Sequence, residues 1–152
     1  MKLFRWQIII ILFLLAVSQN IFSYEKQDDG IILKINKRKD TDPRLIKIEV
    51  CNDNIIRIIA SPVDTFSTRK SLMINKIDWK PVKWSVKEEG NLIKISTANV
   101  IATIDSSTGR IAFYNSDNHL LLEEKAGGGK IISPAEVMGE KTNHIRQLFE
   151  PS

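Results

Sequence analysis

The chain has 152 residues and a formal net charge of +4, from 22 Lys and Arg against 18 Asp and Glu. Two of the basic residues, Lys2 and Arg5, lie in a leading segment that we interpret as removed, which lowers the charge by two to +2, so the basic balance is not evidence for a nucleic-acid partner. The single cysteine, Cys51, excludes an internal disulfide and is expected to be a small buried residue at a strand end.

The first 23 residues have the pattern of a secretory signal peptide. Lys2 and Arg5 form a positive start, and residues 8–17 form an unbroken apolar run of ten. Small residues at Ala16 and Ser18 predict cleavage after Ser18, with Ser23 as the alternative site. A membrane anchor would need roughly 20 apolar residues, which is longer than this run. A lipid anchor is disfavoured because no cysteine lies near the cleavage site. We therefore expect a secreted or periplasmic protein with no membrane contact after cleavage.

Short segments with alternating or β-branched apolar residues occupy most of the chain after residue 24. Residues 45–51 alternate most clearly, with Lys47 and Glu49 on the polar face, which predicts one face in the core and the other in water. Residues 55–60 are apolar except for Arg57 and are predicted to be buried on both faces or nearly so. The other predicted strands are residues 30–35, 72–74, 84–88, 92–97, 100–105, 110–114 and 120–125.

Polar turn signals separate these segments, and Pro81 excludes a central strand at residues 78–81. Turns every eight to twelve residues between strands of alternating polarity are typical of an antiparallel sandwich. The fold class predicted is therefore all-β, an antiparallel β-sandwich over residues 24–133 preceded by a signal peptide. We expect residues 134–152 to form an extended exit segment with at most one helical turn. The apolar residues there have only a weak helical spacing, and Gly139 interrupts it.

Four features that suggest chemistry are better explained as structure. The carboxyl pairs Glu88-Glu89 and Glu123-Glu124 are adjacent on strands, so their side chains point to opposite faces and cannot flank one glycosidic bond; both are expected to be solvated strand ends. His119 and His144 lack a second ligand at strand or helix spacing, so no metal is expected. The stretch of residues 127–130 lacks the further residues of a phosphate loop and is expected to be a flexible turn. The basic cluster at residues 37–39 is expected to be a solvated loop.

Several segments together resemble the N-terminal domain of bacterial glycoside hydrolase family 31 enzymes, especially the α-xylosidase-like members. They are residues 30–32, the run 55–62 with Asp64, Phe66, Ser67, Arg69 and Ser71 after it, and residues 84–86, 101–113 and 120–124. In that family the region is a galactose-mutarotase-like β-sandwich placed before a catalytic (β/α)8 barrel. No position here matches the barrel aspartates that act as nucleophile and acid.

The resemblance implies a non-catalytic N-terminal domain of an exported α-glycosidase, whose partners are an α-linked oligosaccharide and a catalytic barrel in the same chain, with no cofactor. Phe66 and Arg69 would then approach substrate or line the domain interface, and we favour the interface. Trp79, beside Pro81, is the better candidate for stacking on a sugar, because Trp84 falls in the alternating pattern of a core residue and Tyr114 lies in a strand. A free-standing carbohydrate-binding sandwich and a structural envelope protein are the alternatives.

The signal-peptide interpretation predicts a defined mature terminus. Intact-mass analysis of the protein recovered from its host should show a chain that begins at Gln19, or at Tyr24 if cleavage follows Ser23. Ala16→Asp should block processing after Ser18, because it places a charge where a small residue is needed, whereas Ala16→Ser keeps a small residue and should be processed normally. A full-length mass in the mature protein would contradict the interpretation.

Overall fold

The computed structural model describes residues 23–68 and 79–151, and within these ranges it contains eleven strands and no helix. The strands are β1 (Tyr24–Gln27), β2 (Gly30–Lys34), β3 (Leu45–Asn52), β4 (Ile55–Ser61), β5 (Ser85–Glu89), β6 (Leu92–Ser96), β7 (Val100–Asp105), β8 (Ile111–Asn115), β9 (Leu120–Glu123), β10 (Lys130–Val137) and β11 (Glu140–Gln147). The predicted all-β class is confirmed. The signal segment, Arg69 and the strand expected at residues 72–74 lie outside the described residues.

Two antiparallel sheets form the sandwich. The first has the order β1-β2-β3-β4 and the second the order β5-β6-β7-β8-β9, so every neighbour in each sheet is also a neighbour in sequence. Alternation explains this arrangement, since Ile46, Ile48 and Val50 of β3 are buried while Lys47 and Glu49 between them are only half-buried. Each sheet therefore has one apolar face.

The hydrophobic core lies between these two apolar faces. It is built from isoleucine, leucine, valine and alanine side chains of both sheets: Ile31, Leu33, Ile35, Ile46, Ile48, Val50, Ile93, Ile95, Ala102, Ile104 and Ile111. Burying each of the larger side chains contributes about 1.5 to 3 kcal/mol. Cys51 is buried near the end of β3, as predicted.

Strand β4 is less buried than its composition predicts. Its residues are half-buried on both faces, and Ile55 is 43% exposed. Ile56 and Ile58 pack against the core, while Arg57 on the other face forms an ion pair with Glu49 of β3. The apolar run indicates a strand correctly, but one of its faces carries a charge and lies towards water.

A glycine at the start of β2 permits the close approach of two strands. Gly30 pairs with Glu49 of β3, and a Cβ atom at this position would lie 1.9 Å from the backbone oxygen of Ile48. Its φ of 152° is also one that residues with side chains rarely adopt. Only glycine fits here without displacing β3.

The expectation of an extended exit segment over residues 134–152 is wrong. Strands β10 and β11 form a hairpin, with Lys130 paired to Gln147 and Val137 to Glu140, so the boundary placed after Ser133 falls inside β10. Met138 and Gly139 both have positive φ, which is the geometry of the tight two-residue hairpin turn. The glycine that interrupts a helical pattern is the residue that this turn requires.

The residues after the hairpin add to the second sheet. Leu148 donates its N–H to the oxygen of Gly129 and accepts a hydrogen bond from the N–H of Lys125, each at the distance of an ordinary backbone bond. Glu150 donates to the oxygen of Glu123. Leu148 is half-buried while Phe149 is 40% exposed, so this segment is paired through its backbone and only partly through its side chains.

A buried ion pair fixes the hairpin to the second sheet. The carboxylate of Glu124, which is 1% exposed, accepts hydrogen bonds from the ammonium of Lys130 at 2.5 Å, from the N–H of Ile111 at 3.0 Å and from the side-chain amide of Gln147 at 2.8 Å. Lys130 also donates to the oxygen of Gly109 at 3.0 Å. Burial lowers the pKa of Lys130, and the charge and hydrogen bond of Glu124 oppose that effect.

This pair corrects two expectations. Glu124 is not part of a solvated strand end, because β8, the hairpin and the turn before β8 enclose it. The glycine stretch before Lys130 is not merely a flexible turn: a Cβ atom on Gly129 would lie 2.7 Å from Cβ of Glu124 and 2.9 Å from the oxygen of Leu148. Glycine is needed there so that the hairpin can approach the sheet.

Removal of the Glu124 carboxylate should strongly destabilise the protein. Glu124→Ala removes the counter-ion of the buried Lys130 ammonium, and the expected loss is about 3 to 5 kcal/mol of the free energy of unfolding. Urea denaturation followed by tryptophan fluorescence measures it. Glu124→Gln should lose less, since the amide oxygen still accepts hydrogen bonds.

The matched control is the preceding residue. Glu123 pairs with Arg110 at 2.7 Å, but both side chains are partly open to solvent, so Glu123→Ala should cost about 1 kcal/mol or less. Equal losses for the two alanine variants would show that the buried pair does not anchor the hairpin.

Candidate functional site

One cleft in the sandwich brings together two aromatic side chains and several charged ones. It has a volume of about 230 Å³. Its apolar lining is formed by Val50, Trp79, Pro81, Val82 and Trp84, and its polar lining by Asp28, Asp29, Glu49 and Lys80. We call this feature the aromatic cleft.

Three chain segments position these residues. Asp28 and Asp29 form the turn between β1 and β2, Glu49 and Val50 belong to β3, and residues 79–84 form the extended connection that leads into β5. Pro81 keeps this connection out of a sheet, as the sequence predicts, because it has no N–H to donate. The connection therefore forms one side of the cleft.

The ring of Trp84 is held in a fixed orientation. Its Nε1–H donates to the backbone oxygen of Asp28 at 3.2 Å, and the ammonium of Lys26 lies 5.2 Å from the ring centroid, within the range of a cation–π contact. Trp84 also packs against the hydrophobic core. The prediction that it is a core residue holds for part of the ring, and the remainder faces the cleft.

A chain of charges supports the polar side of the cleft. The ammonium of Lys47 lies 3.0 Å from the carboxylate of Asp29 and 3.6 Å from that of Glu49, and Glu49 also pairs with Arg57. Burial acts to raise the pKa of Asp29, but the hydrogen bond and the charge of Lys47 outweigh it and lower that pKa below 3.8. Asp29 is thus ionised at neutral pH.

The Asp28 carboxylate differs from its neighbours. It is exposed on the rim, and within residues 23–68 and 79–151 it has no hydrogen bond or ion pair of its own, because only its backbone oxygen bonds to Trp84. A carboxylate in this position can accept hydrogen bonds from a molecule that enters the cleft.

The thiol of Cys51 lies near this network but is not a reactive group. Burial raises its pKa, and the negative charge of Glu49 raises it further. The thiolate needed for nucleophilic attack is therefore disfavoured at neutral pH.

Two other sequence candidates, Phe66 and Tyr114, do not line the cleft. Phe66 is half-buried beyond β4 and is not among the described residues that line the cleft, and Arg69 lies outside the described ranges. Tyr114 is half-buried in β8. Among residues 23–68 and 79–151 no three His, Cys, Asp or Glu side chains are grouped as a metal site would require.

A second feature is a set of exposed apolar side chains on β9, the hairpin and the segment after it, which the sequence analysis did not identify. Leu120, Leu121 and Leu122 of the edge strand β9 are 53%, 59% and 43% exposed, and Met138 at the hairpin turn is 99% exposed. Val137, Ile145 and Phe149 are exposed as well, and we call these seven residues together the apolar edge. The three consecutive leucines could have revealed this feature in the sequence, because an ordinary edge strand alternates in polarity or carries charged residues.

The described residues include no helix that is long and apolar enough to cross a membrane.

A family model and several solved structures are similar to this chain. A family model described as the glycosyl hydrolase 31 N-terminal galactose mutarotase-like domain matches residues 45–145. The structure is similar to a GH31 α-xylosidase from Xanthomonas citri, with a TM-score of 0.70 and 26% identity over 84% of this chain. The chain spans only 13% of the length of that enzyme.

Two further solved structures share the fold at lower identity. One is a GH31 α-xylosidase from a soil metagenome, solved with xylose, with a TM-score of 0.54 and 23% identity; 68% of this chain and 14% of that chain are covered. The other is an uncharacterised protein from Listeria monocytogenes, solved with glucose, magnesium and calcium, with a TM-score of 0.55 and 17% identity; 75% of this chain and 11% of that chain are covered.

The Lys47 contact should control the ionisation of Asp29. Lys47→Met removes the hydrogen bond and the positive charge, so the pKa of Asp29 should rise, as followed by carboxyl carbon NMR between pH 2 and 7. The pKa of Asp29 is lower in the folded protein than its ordinary value of 3.8, so ionised Asp29 stabilises the fold at any pH above 3.8. This contribution is lost as the pH falls through the folded pKa.

Asp105 provides the internal reference for this titration. Its carboxylate accepts hydrogen bonds from Ser107, not from Lys47, so its pKa should not change in the variant. A pKa of Asp29 that is unchanged by Lys47→Met would contradict the assignment of Lys47 as the cause.

Proposed function

Since this chain belongs to the family of glycosyl hydrolase 31 N-terminal galactose mutarotase-like domains, we propose that it is the non-catalytic N-terminal domain of an exported α-glycosidase. Its role is to support a catalytic barrel in the same polypeptide. The observation that carries the proposal is the family match together with the short span, since the chain corresponds to 13% of the α-xylosidase it resembles.

The paired carboxylates of this domain do not have the arrangement that glycoside hydrolysis uses. That reaction uses two carboxyl groups about 5 to 9.5 Å apart on either side of the scissile bond. Glu123 is paired with Arg110, and Glu124 is buried against Lys130, so neither is free to act on a substrate. Asp29 and Glu49 share the Lys47 ammonium between them, which leaves no gap for a glycosidic bond. Acid and nucleophile would come from the barrel.

The apolar edge supports the structural part of the proposal. An edge strand with three exposed leucines presents unpaired backbone groups and apolar side chains together, a combination that soluble monomers avoid. Val137 and Met138 at the hairpin turn are exposed as well, and β11 is exposed along its whole length. Contact with a barrel would cover these side chains.

Export and substrate belong to the same proposal. The apolar leading segment with its small residues favours secretion or entry into the periplasm, where oligosaccharides of the medium are accessible. The proposed substrate class is an α-linked oligosaccharide. Similarity to an α-xylosidase favours α-xylosides, and α-glucosides are the second candidate.

A free-standing sandwich is the alternative, and one observation favours it. The segment after β11 is paired with this domain's own second sheet through Leu148 and Glu150, as in a module that completes itself. The coding sequence after Ser152 distinguishes the two, because a barrel there supports the enzyme domain and a stop codon supports the free-standing module.

The interface prediction uses one substitution in two contexts. Leu121→Ser should change the free energy of unfolding of the 152-residue chain by less than about 0.5 kcal/mol, because Leu121 is 59% exposed there. In the chain extended by its catalytic barrel, the same change should lower the melting temperature and the hydrolysis of aryl α-xylosides. The 152-residue chain alone should release no sugar from these substrates.

Leu92→Ser is the matched control. Leu92 is 47% exposed on β6 and is not part of the apolar edge, so its change should have little effect in either context. Equal effects of the two serine variants in the extended chain, or sugar release by the 152-residue chain itself, would overturn the proposal.

A further inference from the structure

The aromatic cleft has features that supporting a barrel does not require. Two indole rings, Trp79 and Trp84, line a cavity of about 230 Å³ whose other side carries carboxylates. A domain that only supports a neighbour has no need for a concave, partly apolar site with an available acceptor on its rim. Sites for small ligands combine apolar walls with a few placed polar groups in this way.

The apolar wall is suited to a flat ring. Indole rings offer broad apolar faces with polarisable C–H contacts, and Trp84 is held in place by the oxygen of Asp28 and the ammonium of Lys26. A ring that is already oriented loses little conformational freedom when a ligand stacks on it. Trp79 reaches the same cavity from the connection, so a ligand there would contact both rings.

The polar wall is suited to hydroxyl groups and not to a charge. The charged residues that line the cavity are Asp28, Asp29, Glu49 and Lys80. Outside the lining, Lys47 pairs with Asp29, and Arg57 pairs with Glu49. Negative and positive side chains therefore balance. Asp28 remains available to accept hydrogen bonds, which a hydroxyl can donate and an ionised carboxylate or fully ionised phosphate cannot.

We propose that the aromatic cleft is a non-catalytic binding site for one neutral pyranose unit of a saccharide, which stacks on Trp79 and Trp84 and donates hydroxyl hydrogen bonds to Asp28. The inference stands apart from the supporting role, because a free-standing sandwich could carry the same site. In an enzyme, the site would hold a second part of an oligosaccharide away from the reacting bond.

The test uses the mature chain and two probes, methyl α-D-xylopyranoside and methyl α-D-glucopyranoside. Titration followed by the indole N–H signals in NMR should give saturable shifts of Trp79 and Trp84, with a Kd on the order of 1 mM for ligands of this size. Trp79→Ala should weaken binding about tenfold by removing one stacking face. Asp28→Asn keeps the backbone oxygen that bonds to Trp84 and should weaken binding with the fold unchanged.

Phe66→Ala is the matched control, since Phe66 is a half-buried aromatic residue of a connection that does not line the cleft. It should bind both glycosides as the unchanged chain does. Absence of saturable shifts with either probe, binding that survives Trp79→Ala and Asp28→Asn, or tighter binding of glucose 6-phosphate than of the neutral glycosides would each overturn the proposal. None of these results bears on whether a barrel follows Ser152.

Discussion

The buried carboxylate of Glu124 connects parts of the chain that sheet pairing leaves separate. It bonds to the backbone of β8, to Lys130 at the base of the hairpin and to Gln147 on the returning strand. A charge in this position is costly unless all of its neighbours are present, so the contacts must form together. Among the described strands the hairpin pairs with neither main sheet, and a two-stranded ribbon by itself is marginally stable in water. The Glu124 contact and the hydrogen bond from the N–H of Ile132 to the oxygen of Thr41 both hold it to the rest of the domain.

The sandwich separates its two candidate functional surfaces. The aromatic cleft lies where the β1–β2 turn, β3 and the connection before β5 meet, whereas the apolar edge consists of β9, the hairpin and the segment that follows it. A closely packed core of branched aliphatic side chains lies between the sheets and keeps both surfaces in place. A ligand at one surface and a domain at the other could therefore be accommodated at the same time.

Charge pairing decides what each carboxylate can do. Glu124, Glu123 and Glu49 each have a cation within ion-pair distance, and Asp29 is held ionised by Lys47. A general acid needs the opposite environment, one that raises its pKa. In the cleft the same pairing balances the carboxylates with cations, which suits an uncharged ligand.

The sequence by itself determined the all-β class and the order of most strands, because side-chain alternation and turn residues are local signals. The family was indicated separately, by the resemblance of several segments to known members. It could not reveal the hairpin of β10 and β11, since Gly139 is equally a helix interruption and a turn residue until the strand partners are known. Nor could it show that Glu124 is buried, or that Trp79 and Trp84 share a cleft with Asp28. Those facts depend on contacts between residues far apart in the chain, and only the tertiary structure decides which of them form.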